Sequence, residues 1–256
     1  MEKVPFLLAT AKTAVVHWCL LDLVLSTLAR LPGIGTPPGG SIYYPHLSPF
    51  PRHLLAFALT TFAGGFGLLS SMIMEYAALS VFAVAVLGHS PTSWPPLFDN
   101  PWASTSVHDF WARRWHQGLR RTFLVLGGYP GQWIAGRAGL IIGTFLASGL
   151  YHEWSMYLVN RGVDHRVTLF FAVQPIGLFI EKAFTRFTGR KVSGPFGWIW
   201  TFLFVVGTGQ LCIDSWLTRG LAASPPIIPY SLSPCRGIIF PIFEKQIDNI
   251  VSILKV

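Results

Sequence analysis

"GLIIGTFLASGLYHEWSMYLV" (Gly139–Val159) is the stretch on which the fold turns. A run of ~20 mostly apolar residues is long enough to cross the hydrocarbon of a bilayer as a helix. Yet this one carries His152 and Glu153 side by side. His152 lies some thirteen residues into the run, about 20 Å along a helix axis. An ionisable group at that depth is costly and is by default a candidate functional residue. A neutral imidazole there is able to accept a proton. A structural role, with His152 or Glu153 hydrogen-bonded to a neighbouring helix, stays open at this point.

The rest of the chain agrees with a membrane setting. Of its 256 residues 52% are hydrophobic and 12% charged, and the mean hydropathy is +0.50. A soluble domain has roughly 25% charged residues, so much of the usual solvated surface is missing. The net charge of +8 does not point to nucleic acid, because the basic residues sit in short clusters between apolar runs. Cys19, Cys212 and Cys235 form neither a CxxC pair nor a disulfide framework. No A-x-A site follows the first apolar stretch, so it reads as a membrane helix and not as a cleaved leader.

Further spans are expected at Val4–Leu31, which "LPGIGTPPGG" closes, and at Trp198–Leu217. His53–Gly88 is too long for one span and is expected to break into two at "GGFG" (Gly64–Gly67). Val167–Ile180 is short and holds Pro175, and Ile238–Val256 reads as a last span or an interfacial helix. The expectation is an all-α integral membrane protein, a multi-span helical bundle of about six to seven spans. Residues 1–256 read as a single domain. Arg113, Arg114, Arg120, Arg121 and Arg137 make the loop His89–Arg137 rich in positive charge, which places it in the cytosol.

That loop contains "STSVHDFWARRWHQGLRRTF" (Ser104–Phe123). Ser106 with Asp109 three residues on resembles a capping box and predicts a helix start. At 100° per residue the four arginines and Gln117 share one stripe, and Trp111, Trp115, Leu119 and Phe123 the opposite one, with His108 and His116. The expectation is one amphipathic cytosolic helix. It either lies plainly on the membrane lipid or uses its arginines to hold an anionic cofactor.

No HExxH pattern suggests a metal, no G-x-S-x-G a serine hydrolase, and no P-loop or G-x-G-x-x-G a nucleotide. Asp22, Glu75 and Asp214 also interrupt apolar runs, as ion-path residues, surface residues or internal pairs. A transporter is the alternative class, but it would be expected to show paired repeats, and none stands out.

"PLFDNPWASTSVHDFWARRWHQ" (Pro96–Gln117) followed by "SGLYHEW" (Ser148–Trp154) resembles the wax synthase branch of the membrane-bound O-acyltransferases. That branch includes acetyltransferases of terpenoid and other lipophilic natural products. The pair of motifs is fairly specific, and the resemblance covers roughly Pro91–Leu217. Ahead of the first motif the chain is short for that family, so early spans are expected to be missing or degenerate. The resemblance implies that His152 is the catalytic base and that His116 occupies the first motif's polar position, often Asn in sterol and diacylglycerol relatives. It implies acyl-CoA as co-substrate, with no permanently bound cofactor. It also implies a lipophilic alcohol acceptor and a multi-pass location, the endoplasmic reticulum being expected. Arg113, Arg114, Arg120 and Arg121 would meet the CoA phosphates. Glu153, about 100° round the helix from His152, is expected to serve packing or histidine orientation.

Overall fold

The structure, a computed structural model, describes residues 2–159, 161–223 and 228–254. Helices dominate, and no strand occurs among the described residues. Among the described residues five of them are long and apolar enough to cross a membrane, where the sequence suggests six to seven spans: Lys3–Leu28 (α1), Pro49–Ala85 (α2), Arg120–Leu158 (α4), Arg166–Thr188 (α5) and Gly194–Thr218 (α6). The chain divides into two compact units, Met1–Pro96 with Trp216–Val256, and Leu97–Ser215.

In the first unit α1 packs along α2. The expected break at "GGFG" does not occur. Helix α2 runs through it as a π-helical stretch, Thr61–Leu68. Thr60 and Thr61 return their hydroxyls to the carbonyls of Ala56 and Phe57, at 2.8 and 2.9 Å. Such back-bonding bends a helix without ending it, and the glycines add no side chain to crowd the wider turn. At about 1.5 Å per residue α2 is ~55 Å long, so it tilts or projects beyond ~30 Å of hydrocarbon. The tail supplies a short helix, Glu244–Ile253 (α7), too short to be a span.

The second unit holds both motifs. Its first helical piece, residues 107–114 (α3), starts where the capping box predicts, with Ser106 Oγ accepting the Asp109 N–H at 2.9 Å. It then ends early. Trp115 is extended (ψ 152°), and α4 begins only at Arg120. The single amphipathic helix expected over this stretch is therefore two helices with a break between them. The Gln117 amide is one cause: it donates to the carbonyls of Trp111 (3.1 Å) and Trp115 (2.6 Å), which a continuing helix would bond to its own backbone.

Helix α4 is a hairpin. Ala135 (φ −139°, ψ 27°) and Gly136 (φ 56°, ψ −141°) reverse the chain, and residues 120–134 return along residues 137–158. The limbs meet backbone to backbone. A Cβ built on Gly127 would stand 2.1 Å from the Gly143 oxygen, and one on Gly131 2.2 Å from the Gly139 oxygen. Arg120 and Arg121 consequently lie at the opposite end of the first limb from Arg137, about 20 Å away, so the arginine-rich loop has no single end. Helix α5 then runs antiparallel to the second limb, with Gly149 against the Thr168 backbone.

Candidate active site

The hairpin brings the two motifs together. Its first limb delivers Phe123 to Tyr151 and His152, with ring centroids 5.6 and 6.5 Å apart. The segment just before that limb carries His116. Burial pushes the His116 imidazole below its ordinary pKa, and the charge of His152 pushes it further the same way. The two candidate histidines are thus electrostatic neighbours.

His152 is held on two sides. Its ring stacks on Phe171 of α5, with centroids 4.5 Å apart and planes 24° from parallel. Its Nδ1 lies 2.8 Å from the carbonyl oxygen of Ser148, one turn back in the same helix. A carbonyl can only accept, so Nδ1 carries the hydrogen, and in the neutral ring Nε2 keeps its lone pair. The tautomer is set by the helix itself. With the hairpin turn at 135–136, His152 stands about 9 Å from the end of the helix at Leu158.

His116 sits against Phe98 and Trp115, centroids 5.7 and 5.6 Å away. His108, assigned with it to the aromatic face, is exposed, and its backbone N–H is what the fold uses. Glu181 of α5, 7% exposed, accepts the N–H groups of Val107 (2.6 Å) and His108 (3.1 Å) and the indole N–H of Trp200 (2.9 Å). One carboxylate therefore fixes the entry of the first motif.

A second polar group of α5 fixes its middle. Gln174, fully buried, accepts the Trp111 indole N–H at 3.1 Å and donates to Phe170 O (2.9 Å) and Thr208 Oγ (3.0 Å). Sequence reasoning singled out neither Gln174 nor Glu181. The available signal was an amide in an apolar run beside Pro175, the kind of intramembrane polar residue that earns attention in its own right.

The four arginines are not alike. Arg114 pairs with Asp109 at 2.6 Å and donates to the carbonyls of Asp99 and Asn100. Arg113 is 3.0 Å from Asp109 and 3.7 Å from Asp99, with its side chain 61% exposed. Arg120 reaches Ala112 O and Gln117 Oε1, and both it and Arg121 are exposed at the start of the hairpin.

Glu153, next to His152 in the chain, is buried and accepts the Asp164 N–H at 3.1 Å. It ties the end of the His152 helix to the turn that leads into α5. Asp164 also accepts Ser215 Oγ and pairs with Arg166, which pairs in turn with Asp214. Asp214 and Asp22 are accordingly internal partners, while Glu75 is exposed.

Residues 94–173 match the membrane bound O-acyl transferase family. The chain is 29% identical over 178 residues to acetyltransferase aurG of Calcarisporium arbuscula, which is 62% of this chain and 43% of that one. It is 32% identical over 126 residues to a long-chain-alcohol O-fatty-acyltransferase of Simmondsia chinensis, covering 45% and 35% of the two chains. It is 31% identical over 121 residues to acyl-CoA–sterol O-acyltransferase 1 of Arabidopsis thaliana, covering 42% and 34%. The chain spans less than half the length of these relatives. No solved structure matches it.

Proposed function

We propose, for a chain whose residues 94–173 belong to the membrane bound O-acyl transferase family, that it moves an acyl group from acyl-CoA to the hydroxyl of a lipophilic alcohol, with His152 as general base. The observation that carries this reading is the Nδ1 bond to Ser148, which leaves Nε2 as the proton acceptor. In the first step the alcohol O–H gives its proton to Nε2 while the oxygen attacks the thioester carbonyl. The tetrahedral oxyanion then collapses, the C–S bond breaks, and the imidazolium proton goes to the CoA sulfur. An ester and CoA thiol leave, and His152 is restored.

His116 has the place and the protonation state of a helper. Held neutral by burial and by its neighbour, it keeps one N–H to offer the oxyanion. On this reading Arg120 and Arg121, with the exposed part of Arg113, meet the CoA phosphates. Arg114 mainly braces the motif through Asp109.

The test is ester formation in membranes, the endoplasmic reticulum fraction being the expected one, from labelled acetyl-CoA or palmitoyl-CoA with a fatty or terpenoid alcohol. His152→Ala should lose ~10²–10⁴-fold at matched expression. His116→Asn should keep measurable activity and His116→Ala should lose about 10²-fold, as when one oxyanion donor is removed. Near-full turnover by His152→Ala would sink the mechanism.

A further inference from the structure

The C-terminal end of α5 carries positive charge that no described carboxylate balances. Lys182 and Arg186 stand four residues apart on one side of the helix, where like charges repel. Arg190 and Lys191 follow directly on the C-cap, Gly189. All four residues are exposed, and among the described residues none of them forms an ion pair. From Lys182 to Ile213 the sequence holds no Asp or Glu. The neighbouring acid, Glu181, is buried and already committed to the N–H groups of Val107, His108 and Trp200. The helix dipole offsets only about half an elementary charge, against four cations.

The surroundings narrow the choice of counter-ion. Helix α5 is long and apolar enough to span, so its last turn stands at a face of the bilayer. Phe187 and Phe196, which flank Arg190 and Lys191 in the chain, are each 87% exposed. Rings beside cations suit the boundary between headgroups and acyl chains. A soluble anion would answer the cations and leave the rings in water, whereas a phospholipid answers both. Ends of spans rich in Lys and Arg face the cytosol, and that leaflet carries the anionic lipids.

We infer that Lys182, Arg186, Arg190 and Lys191 form a binding surface for anionic phospholipid headgroups, with Phe187 and Phe196 reaching into the acyl boundary. The surface begins one residue from Glu181, so the lipid sits beside the anchor of the first motif.

The experiment titrates phosphatidylserine into the full chain held in phosphatidylcholine and detergent, and reads binding as a rise in the unfolding midpoint. Added salt should weaken the rise. More phosphatidylcholine, glycerophosphoserine or inorganic phosphate should not produce it. Arg190→Gln with Lys191→Gln, both beyond the helix end, should weaken the apparent affinity by about fivefold per charge removed. Lys3→Gln with Lys12→Gln removes the same charge from exposed positions of α1 and should leave the affinity within about twofold of wild type. Adding Lys182→Gln and Arg186→Gln to the first pair should abolish the rise. Midpoints without phosphatidylserine show whether each variant folds, and the Arg190 and Lys191 pair carries the test should the fourfold variant fold poorly.

No rise with phosphatidylserine in the wild type overturns the proposal. So does wild-type affinity in the Arg190 and Lys191 variant, or an equal loss in the α1 variant, which would mean that the lipid answers to net charge alone. An equal rise with glycerophosphoserine or phosphate would make this a site for free anions and overturn the lipid as its occupant.

Discussion

Among the carboxylates buried in spanning helices, Asp22 in the first unit and Glu181 in the second do the same physical job for different ends. Asp22 of α1, fully buried, accepts Ser233 Oγ at 2.6 Å, Cys235 N at 2.9 Å and Ser26 Oγ at 3.2 Å. Glu181 of α5 accepts two backbone N–H groups and an indole. Each stitches a loop segment to a span, and each is compensated by hydrogen bonds, as a buried charge must be. Asp22 holds a tail segment whose Arg236 folds back onto Ser26. Glu181 holds the segment that carries Trp111 and His116. A buried acid in an apolar helix is therefore no sign of chemistry by itself, because the cargo of the stitched segment decides. His152 differs from both, since its only hydrogen bond among the described residues runs from Nδ1 to Ser148 O within its own helix.

The largest effect should come from cutting each stitch. Glu181→Ala leaves one buried and two part-buried donors unpaired, the buried one at ~1–3 kcal/mol, and lets the first motif drift. We expect a strong fall in thermal stability in detergent together with a loss of about 10²-fold in activity per folded molecule. A shift of 1 Å in catalytic geometry suffices for a loss of that size. Asp22→Ala should lower stability comparably while activity per folded molecule stays within a few-fold of wild type. Equal loss of specific activity in both variants would erase the distinction between structural and site-bearing stitches.

The glycines offer a smaller, sharper contrast. A methyl at Gly131 meets the Gly139 backbone at 2.2 Å, which cannot yield without opening the hairpin. One at Gly67 meets a methyl of the Val24 side chain at 2.8 Å, and no backbone atom closer than 3.8 Å. Gly131→Ala should cost ~1–3 kcal/mol and lower activity, because the first limb sets where His116 and Phe123 stand; Gly67→Ala should cost less and spare activity. Unfolding midpoints and rates for the two variants check this. A larger loss at Gly67 would mean that the hairpin is not the tighter contact.

Much of this was legible in the sequence, and what was not has a physical pattern. The apolar runs follow from composition and length, and the Ser106 cap follows from a local rule. His152 stood out as an ionisable group in an apolar run, whereas its expected role and that of His116 came from the resemblance. Three features of the fold escaped. Helical periodicity over residues 107–123 is real, but the Gln117 amide competes for the carbonyls at the break. "GGFG" reads as a stop, yet threonine back-bonding carries α2 through it. The Gly127–Gly143 and Gly131–Gly139 contacts are long-range, so no local window reveals that one apolar stretch is two antiparallel limbs. Gln174 and Glu181 escaped for the same reason, since their partners lie 63 and 74 residues away.

The smallest effects should separate the units by pH, and in opposite directions. In the second unit burial raises the Asp164 carboxyl, but the Arg166 and Ser215 hydrogen bonds outweigh it and hold the group below its ordinary value of 3.8. A depressed carboxyl stabilises the fold fully above its unfolded pKa, and that contribution disappears as pH falls through the folded one. The stability gap between wild type and Asp164→Asn should therefore be flat from pH 7 to about pH 5 and close below about pH 4. In the first unit burial, followed by Asp22, pushes the Cys235 thiol from 9.0 up to about 12. A raised thiol has the reverse sign: its contribution is complete below pH 9 and is lost as pH rises toward 12. Cys235→Ala should therefore narrow its gap to wild type only on the alkaline side, while Asp164→Asn should be indifferent there. Unfolding midpoints in detergent across both limbs decide the matter. An alkaline gap that stays constant for Cys235→Ala would show that the thiol does not sit against Asp22, and an acid gap that stays constant for Asp164→Asn would remove Asp164 from the tie that steadies the end of the His152 helix.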